Sequence, residues 1–213
     1  MKTLIAIPCG EQIEATFVDC LLQLRPVGDV EVRLLRGSLV YDARNQLMEY
    51  ALEAGGYDYI LWLDSDMTFE PDLLERMMEA IGDKQIITGL CFGRRPPFKP
   101  CIFKELRVEQ DGLQITPYIE NYFDYPRDQV FEVEACGFAC VLMRMDILEA
   151  MSFYGVPFFP IAGLGEDIAF CYRAKKLDIR IWCDSRLKIG HIMRMSVDEG
   201  FRDNVITKDT PNK

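Results

Sequence analysis

Histidine is nearly missing from this chain of 213 residues, which has one, and there are only two tryptophans. A metal centre built on several imidazoles is therefore excluded. No apolar run approaches the ~20 residues that cross a bilayer. The opening Met1–Gly10 stretch carries a short apolar run broken by Pro8 and Gly10, so it reads as a first strand and not as a secretion signal. Positive charge is also in deficit: 24 Lys and Arg stand against 34 Asp and Glu, a net charge of −10. General affinity for nucleic acid or an anionic membrane needs the opposite balance. The eight cysteines include no Cys-x-x-Cys pair and sit mostly beside apolar residues. They read as reduced small hydrophobes of a cytoplasmic protein, neither a disulfide framework nor a zinc site. No internal repeat or low-complexity segment is present.

What the chain does have is an alternation of apolar strands and amphipathic helices over its first half. Thr3–Pro8, Val30–Leu35, Tyr59–Leu63 and Ile86–Cys91 read as strands. Between them lie helices carrying Ile13, Phe17, Leu21, then Ala43, Leu47, Ala51, then Leu73, Met77, Ile81. Asp42 is a candidate cap for the second and Pro71 for the start of the third. Strands apolar on both faces, separated by helices, predict an α/β fold with a mostly parallel sheet covered on both sides. Ligands on such sheets bind beyond the carboxyl ends of the strands.

The pattern weakens after a proline-rich stretch, Gly93–Pro100, where short strands at Ile102–Val108 and Leu113–Ile119 predict a smaller mixed-sheet half. Phe131–Met143 reads as one strand interrupted at Gly137, Met145–Met151 and Asp167–Lys176 as helices, and Ile179–Trp182 and Leu187–His191 as extended pieces. One domain is expected over residues 1–191, with residues 1–91 and 92–191 as its halves. A polar tail over 192–213 is a possible lid.

Three constellations carry chemistry. Asp64-Ser65-Asp66 follows the strand Tyr59–Leu63, and paired carboxylates at a strand end suit a hard divalent cation or, equally, a solvated turn. Gly165-Glu166-Asp167 opens a helix, where a carboxylate serves as an N-cap or as a proton acceptor. The lone His191 is a candidate to complete a carboxylate metal site, for which Mn²⁺ is better suited than Ca²⁺. Arg44-Asn45, Arg94, Arg95, Lys99 and Arg194 are weaker candidates for anion contacts.

Taken in order, Ile7-Pro8, Ala43-Arg44-Asn45, Leu61 to Asp66 followed by Pro71, Gly137 with Leu142-Met143-Arg144, Gly165 to Arg173, and Gly190-His191 make the chain resemble the GT-A-fold nucleotide-sugar glycosyltransferases, especially inverting family 2. The resemblance implies transfer of one sugar from a nucleoside-diphosphate sugar, UDP- or GDP-linked, to an acceptor hydroxyl. It implies Mn²⁺ or Mg²⁺ on Asp66 and His191, with Asp64 at the ribose or the metal. Pro8, Arg44 and Asn45 would lie at the nucleotide, Gly137 and Glu166 at the acceptor, and Asp167 would be the general base. The acceptor stays open. Leu35-Arg36-Gly37-Ser38 replaces the Asp-Asp-Gly-Ser-like loop of many members, and the Gln-x-x-Arg-Trp motif of processive synthases is absent. Two other readings compete. In a haloacid-dehalogenase-like phosphatase Asp64 would be the nucleophile and Asp66 the acid and base, helped by Lys84 or Lys99. The other is a sugar-nucleotide-binding module without turnover.

Overall fold

A computed structural model describes residues 1–112 and 114–202. The first half runs β1 (Lys2–Cys9), α1 (Ala15–Gln23), β2 (Asp29–Arg36), α2 (Val40–Ala54), β3 (Tyr59–Leu63), β4 (Met67–Thr68), α3 (Leu73–Ile81) and β5 (Ile86–Leu90). The second half runs β6 (Ile102–Asp111), β7 (Gln114–Asn121), β8 (Val130–Val133), β9 (Ala135–Cys136), β10 (Cys140–Arg144), α4 (Met145–Met151), α5 (Glu166–Lys176), β11 (Ile181–Lys188) and β12 (Gly190–His191).

The main sheet has the order β2-β1-β3-β10-β5-β11-β8. β1, β2 and β3 are parallel to one another, as are β5 and β11, while β10 inverts between β3 and β5 and β8 inverts at the far edge. The expected α/β architecture with a mostly parallel sheet is therefore present. Strand alternation sends neighbouring side chains to opposite faces, and here both faces are covered. Leu4, Ala6, Ile60 and Trp62 pack in one cluster with α2, α4 and α5 residues such as Leu47, Leu148 and Phe170. Ile5, Ile7, Leu61 and Leu63 pack in the other with Phe17 of α1 and Leu74 and Met77 of α3.

Three local expectations are corrected. The stretch 131–143 is not one interrupted strand: after β8 the chain leaves the main sheet, adds β9 to the β6–β7 hairpin, and returns as β10. The Glu134 N–H donates to the Phe103 carbonyl and the Gly137 N–H to the Cys101 carbonyl, so these backbone groups serve the small sheet. The extended pieces near 179–182 and 187–191 are joined through β11, which runs unbroken from Ile181 to Lys188, while Gly190–His191 form the separate β12. The middle of β11 hid behind polar letters because the buried Asp184 is forked by the Arg186 guanidinium at 2.9 and 2.8 Å. Asp42 does not cap α2, which starts at Val40, and instead accepts from the Gln46 amide in the first turn. Leu113, in the expected second short strand, lies outside the described residues.

Leu61 is fully buried in the middle of the sheet, so Leu61→Ala leaves a cavity there. Urea unfolding is expected to show a loss of about 2–5 kcal/mol, and a loss below about 1 kcal/mol would contradict this placement of β3.

Candidate active site

The parallel strands β1, β2 and β3 all finish at one end of the sheet, and a pocket of about 340 Å³ opens there. Pro8, Cys9 and Gly10 line it from β1, Gly37 and Ser38 from the turn after β2, Val40 and Ala43 from α2, and Asp64 to Asp66 from the turn after β3, with Arg94 facing them. Small residues on three turns keep backbone close to whatever enters. Phosphate-bearing ligands use such backbone surfaces.

Arg44 and Asn45 do not line this pocket. Arg44 is 1% exposed, and its Nη2 donates to Asp64 Oδ1 at 2.8 Å while Nε lies 3.6 Å from Glu166 Oε1. Its guanidinium also lies 5.8 Å from the Trp62 ring centroid and 5.5 Å from that of Phe138. A charge so far from water is tolerated only with partners, and here two carboxylates and aromatic faces supply them. The Asn45 side-chain oxygen accepts from the Phe158 N–H at 3.1 Å, tying the loop before α5 to α2. Helical spacing held the signal: Arg44, Leu47, Met48 and Ala51 share one stripe, so the arginine falls on the buried face.

His191 reaches the acidic turn through a pairing that no local pattern announces. β12 lies antiparallel to β4, with His191 opposite Met67 and Gly190 opposite Thr68. A Cβ on Gly190 would run into the Thr68 hydroxyl, so any larger residue there requires that side chain to move. The Ile192 N–H then donates to the Asp66 carbonyl at 2.8 Å.

The His191 Nδ1 hydrogen bond to the Phe92 carbonyl, at 2.9 Å, makes that nitrogen the donor. Nε2 of the neutral ring therefore turns a lone pair toward Asp66 Oδ2, 3.4 Å away. Two electron-rich atoms so placed need a proton or a cation between them. An imidazole whose other nitrogen is held by a carbonyl, beside a carboxylate, is a donor pair that fits Mn²⁺ or Mg²⁺. Arg94 Nη1 also reaches Asp66 Oδ2, at 2.6 Å. Burial works to raise the Asp66 carboxyl, but His191 and Arg94 outweigh it and hold it low. The hydrogen bond to Asp66 in turn raises the imidazole. Asp64 stands apart: burial raises its carboxyl, Arg44 opposes this, and one of its oxygens is turned to the guanidinium. Among the described residues no group of three His, Cys, Asp or Glu side chains is gathered for a metal, so Asp64, Asp66 and His191 do not form one triad.

The expected base lies deeper. Asp167 is in the first turn of α5, whose cap is Gly165, and its Oδ1 accepts from the Ile168 N–H at 2.8 Å. Burial first, then the neighbouring Glu166, push the Asp167 carboxyl up to about 6. Gly137 faces it: a Cβ there would stand 3.3 Å from Cys101 Cβ and 3.6 Å from Asp167 Oδ2, so the missing side chain keeps space in front of the carboxylate. Lys84, by contrast, sits over the Trp182 ring beside the first residues of β11 and β5, at the opposite end of the sheet. The phosphatase reading thereby loses that lysine. The tail crosses to the foot of α1, where Arg194 Nη2 pairs with Glu14 Oε1 at 2.8 Å. Residues 203–213 of the expected lid lie outside the described residues. Among the described residues no helix is long and apolar enough to cross a membrane.

The large, mostly parallel mixed sheet flanked by helices, with small antiparallel sheets beside it, has the GT-A fold of glycosyltransferases. The chain belongs to glycosyl transferase family 2: residues 21–151, more than half of it, match that family. No curated protein matches the sequence. Among solved structures, A197 from STIV superposes with a TM-score of 0.66 at 20% identity, covering 91% of this chain and 87% of that one. GalNAc-T7, solved with UDP, GalNAc and Mn²⁺, superposes with a TM-score of 0.60 at 10% identity. That match covers 92% of this chain but 43% of GalNAc-T7, so this chain spans less than half its length.

A carboxyl raised by folding binds its proton more tightly in the folded than in the unfolded state, where it titrates near 4. Stability is then lost as pH rises from about 4 through about 6. Asp167→Asn keeps the shape and removes the charge. It is expected to be more stable than the parent at pH 7.5 by about 1–3 kcal/mol, with the difference fading near pH 4. Denaturant titrations at both pH values check this, and a less stable variant at pH 7.5 would refute the buried charge.

Proposed function

We propose that this glycosyltransferase moves one sugar from a nucleoside-diphosphate sugar, UDP- or GDP-linked, to an acceptor hydroxyl with inversion, assisted by Mn²⁺ or Mg²⁺. The observation that carries the reading is the placement of a partly buried carboxyl, Asp167, raised to about 6 and open toward Gly137. The GalNAc-T7 structure, which holds UDP and Mn²⁺, supports the same donor chemistry.

On this reading residues 1–91 form the nucleotide half and 92–191 the acceptor half. Pro8, Asp64 and the Gly37-Ser38 turn surround the nucleoside, and Asp66 and His191 would hold a cation whose charge would offset that of the diphosphate. Arg44 and Asn45 act from beneath the pocket, aligning Asp64 and the loop before α5. Glu166 orients the acceptor from its place beside Arg44. Asp167 takes the proton of the acceptor hydroxyl as that oxygen bonds to the anomeric carbon. The bond from that carbon to the diphosphate oxygen breaks on the opposite face, so the configuration inverts. A base titrating near 6 is ionised at neutral pH yet still basic enough to accept a proton in the transition state.

Donor binding is read by thermal shift with UDP, GDP and other diphosphates, each with Mn²⁺ or chelator. A ligand at 100 times its Kd adds about 2.7 kcal/mol, on the order of 5–10 °C for a chain of this size. Asp66→Ala is expected to erase the metal-dependent part of that shift, and an unchanged shift would remove Asp66 from the cation site. Turnover is read by release of nucleoside diphosphate from the donor that binds, with water as acceptor. Asp167→Asn is expected to bind nucleotide like the parent while turnover falls about 10²–10⁴-fold. The parent's kcat/KM should fall with acid below about pH 6. Turnover surviving in Asp167→Asn would give the base role to another group.

A further inference from the structure

Cys91 follows β5 and Cys101 precedes β6, and the loop joining them carries both contacts made to the candidate cation site from that side, the Phe92 carbonyl on His191 and Arg94 on Asp66. The two ends of this loop run antiparallel. Phe92 bridges Pro100, the Gly93 N–H donates to the Lys99 carbonyl at 2.9 Å, and the Cys101 N–H donates to the Cys91 carbonyl at 2.9 Å. Cys91 and Cys101 are thus direct cross-strand partners, with side chains on the face opposite Phe92 and Pro100. Hydrogen-bonded partners of this kind hold their Cα atoms about 5.5 Å apart, and disulfides favour about 5.5–6 Å. The two thiols are close enough for each to shift the other's ionisation. Cys101 is partly exposed, so a reagent has a point of entry, whereas Cys91 is buried. Cys136 and Cys171 also touch, with the Cys136 N–H 3.5 Å from Cys171 Sγ, but both are fully buried and present no entry.

We propose that Cys91 and Cys101 are a redox-active dithiol that closes to a disulfide and fastens the 92–100 loop over the candidate cation site. The oxidant is a small disulfide such as oxidised glutathione. The Cys101 thiolate attacks one sulfur of that disulfide, its S–S bond breaks, and one glutathione thiolate leaves. Cys91 gives its proton to solvent and attacks the Cys101 sulfur, expelling the second glutathione thiolate. Two protein thiols are oxidised to one disulfide and one glutathione disulfide is reduced to two thiols. Arg94 competes with a cation for Asp66 Oδ2. Fastening the base of the loop keeps the guanidinium there and weakens cation binding, a consequence that rests on the proposed cation site, while the disulfide itself does not.

The test uses the intact chain, equilibrated with oxidised glutathione or with dithiothreitol, alkylated, digested and mapped by mass. The mapping is paired with calorimetric titration of Mn²⁺ into both forms. A Cys91–Cys101 linked peptide, a mass lower by about 2 Da, and at least fivefold weaker Mn²⁺ binding that dithiothreitol reverses are expected. Cys101→Ala should abolish the linkage and the change in binding. Glutathione carried only on other cysteines, or linkage of Cys136 to Cys171, overturns the dithiol. A Cys91–Cys101 linkage with Mn²⁺ binding unchanged overturns the fastening. Linkage in a chain that binds no Mn²⁺ in either form supports the dithiol and counts against the cation site, so the two failures are told apart.

Discussion

One buried guanidinium carries the electrostatics of the ligand edge. Arg44 reaches Asp64 from one side and Glu166 from the other, with Asp167 next in the chain. Three acidic side chains packed together in a protein of net charge −10 would repel one another out of register, and burial would neutralise them by protonation. The arginine offsets this from a position water hardly reaches, where a charge pair is attenuated far less than at the surface. It also joins what the chain separates: α2 and β3 lie in the first half of the sequence, α5 in the second. The shared sheet already holds these parts in one frame, and Arg44 adds a link at its ligand edge, hydrogen-bonded to Asp64 and ion-paired with Glu166.

Beneath Arg44 the contacts are aromatic. Trp62, Phe138, Phe158 and Phe170 come from β3, the turn before β10, the loop before α5 and α5 itself, with Phe158 and Phe170 stacked at 4.6 Å and Phe138 edge-on to both. Ring packing of this sort resists sliding because each ring has a preferred tilt to its neighbours. With Asn45 holding the Phe158 N–H, the loop leading into Asp167 has both a polar and an apolar anchor. Asp167 is thereby positioned by elements far apart in sequence.

Much of the frame was legible in the sequence because it rests on local pattern. Tyr59–Leu63 and Met145–Met151 were bounded correctly from apolar runs and turn residues alone, and the acidic turn follows from where β3 stops. What escaped depends on partners distant in sequence. Nothing near residue 140 says that β10 inserts backwards between β3 and β5, and nothing near His191 says that it will lie against Met67. Arg44 reads from sequence as an anion contact because arginine is usually at the surface, although its stripe with Leu47 and Ala51 points inward. The cysteines read as inert because the pairing of Cys91 with Cys101 appears only when the loop closes. The family match ends at residue 151, so Asp167 and His191 lie beyond it and rest on geometry.

The small sheet joins the main body through few bonds. β6 and β7 pair with each other along most of their length, and only Ile102 and Phe103 reach β9. The two ends of the excursion, Cys101 and Gly137, are fastened to each other by the Gly137 N–H on the Cys101 carbonyl at 2.8 Å. Between them the chain runs out along β6 and back along β7, pairs with β11 at the edge of the main sheet as β8, and closes on β6 as β9. The outer ends of β6 and β7 are paired with each other, away from the acidic turn, so a descendant of this chain can lengthen or shorten that end of the hairpin without displacing the carboxylates.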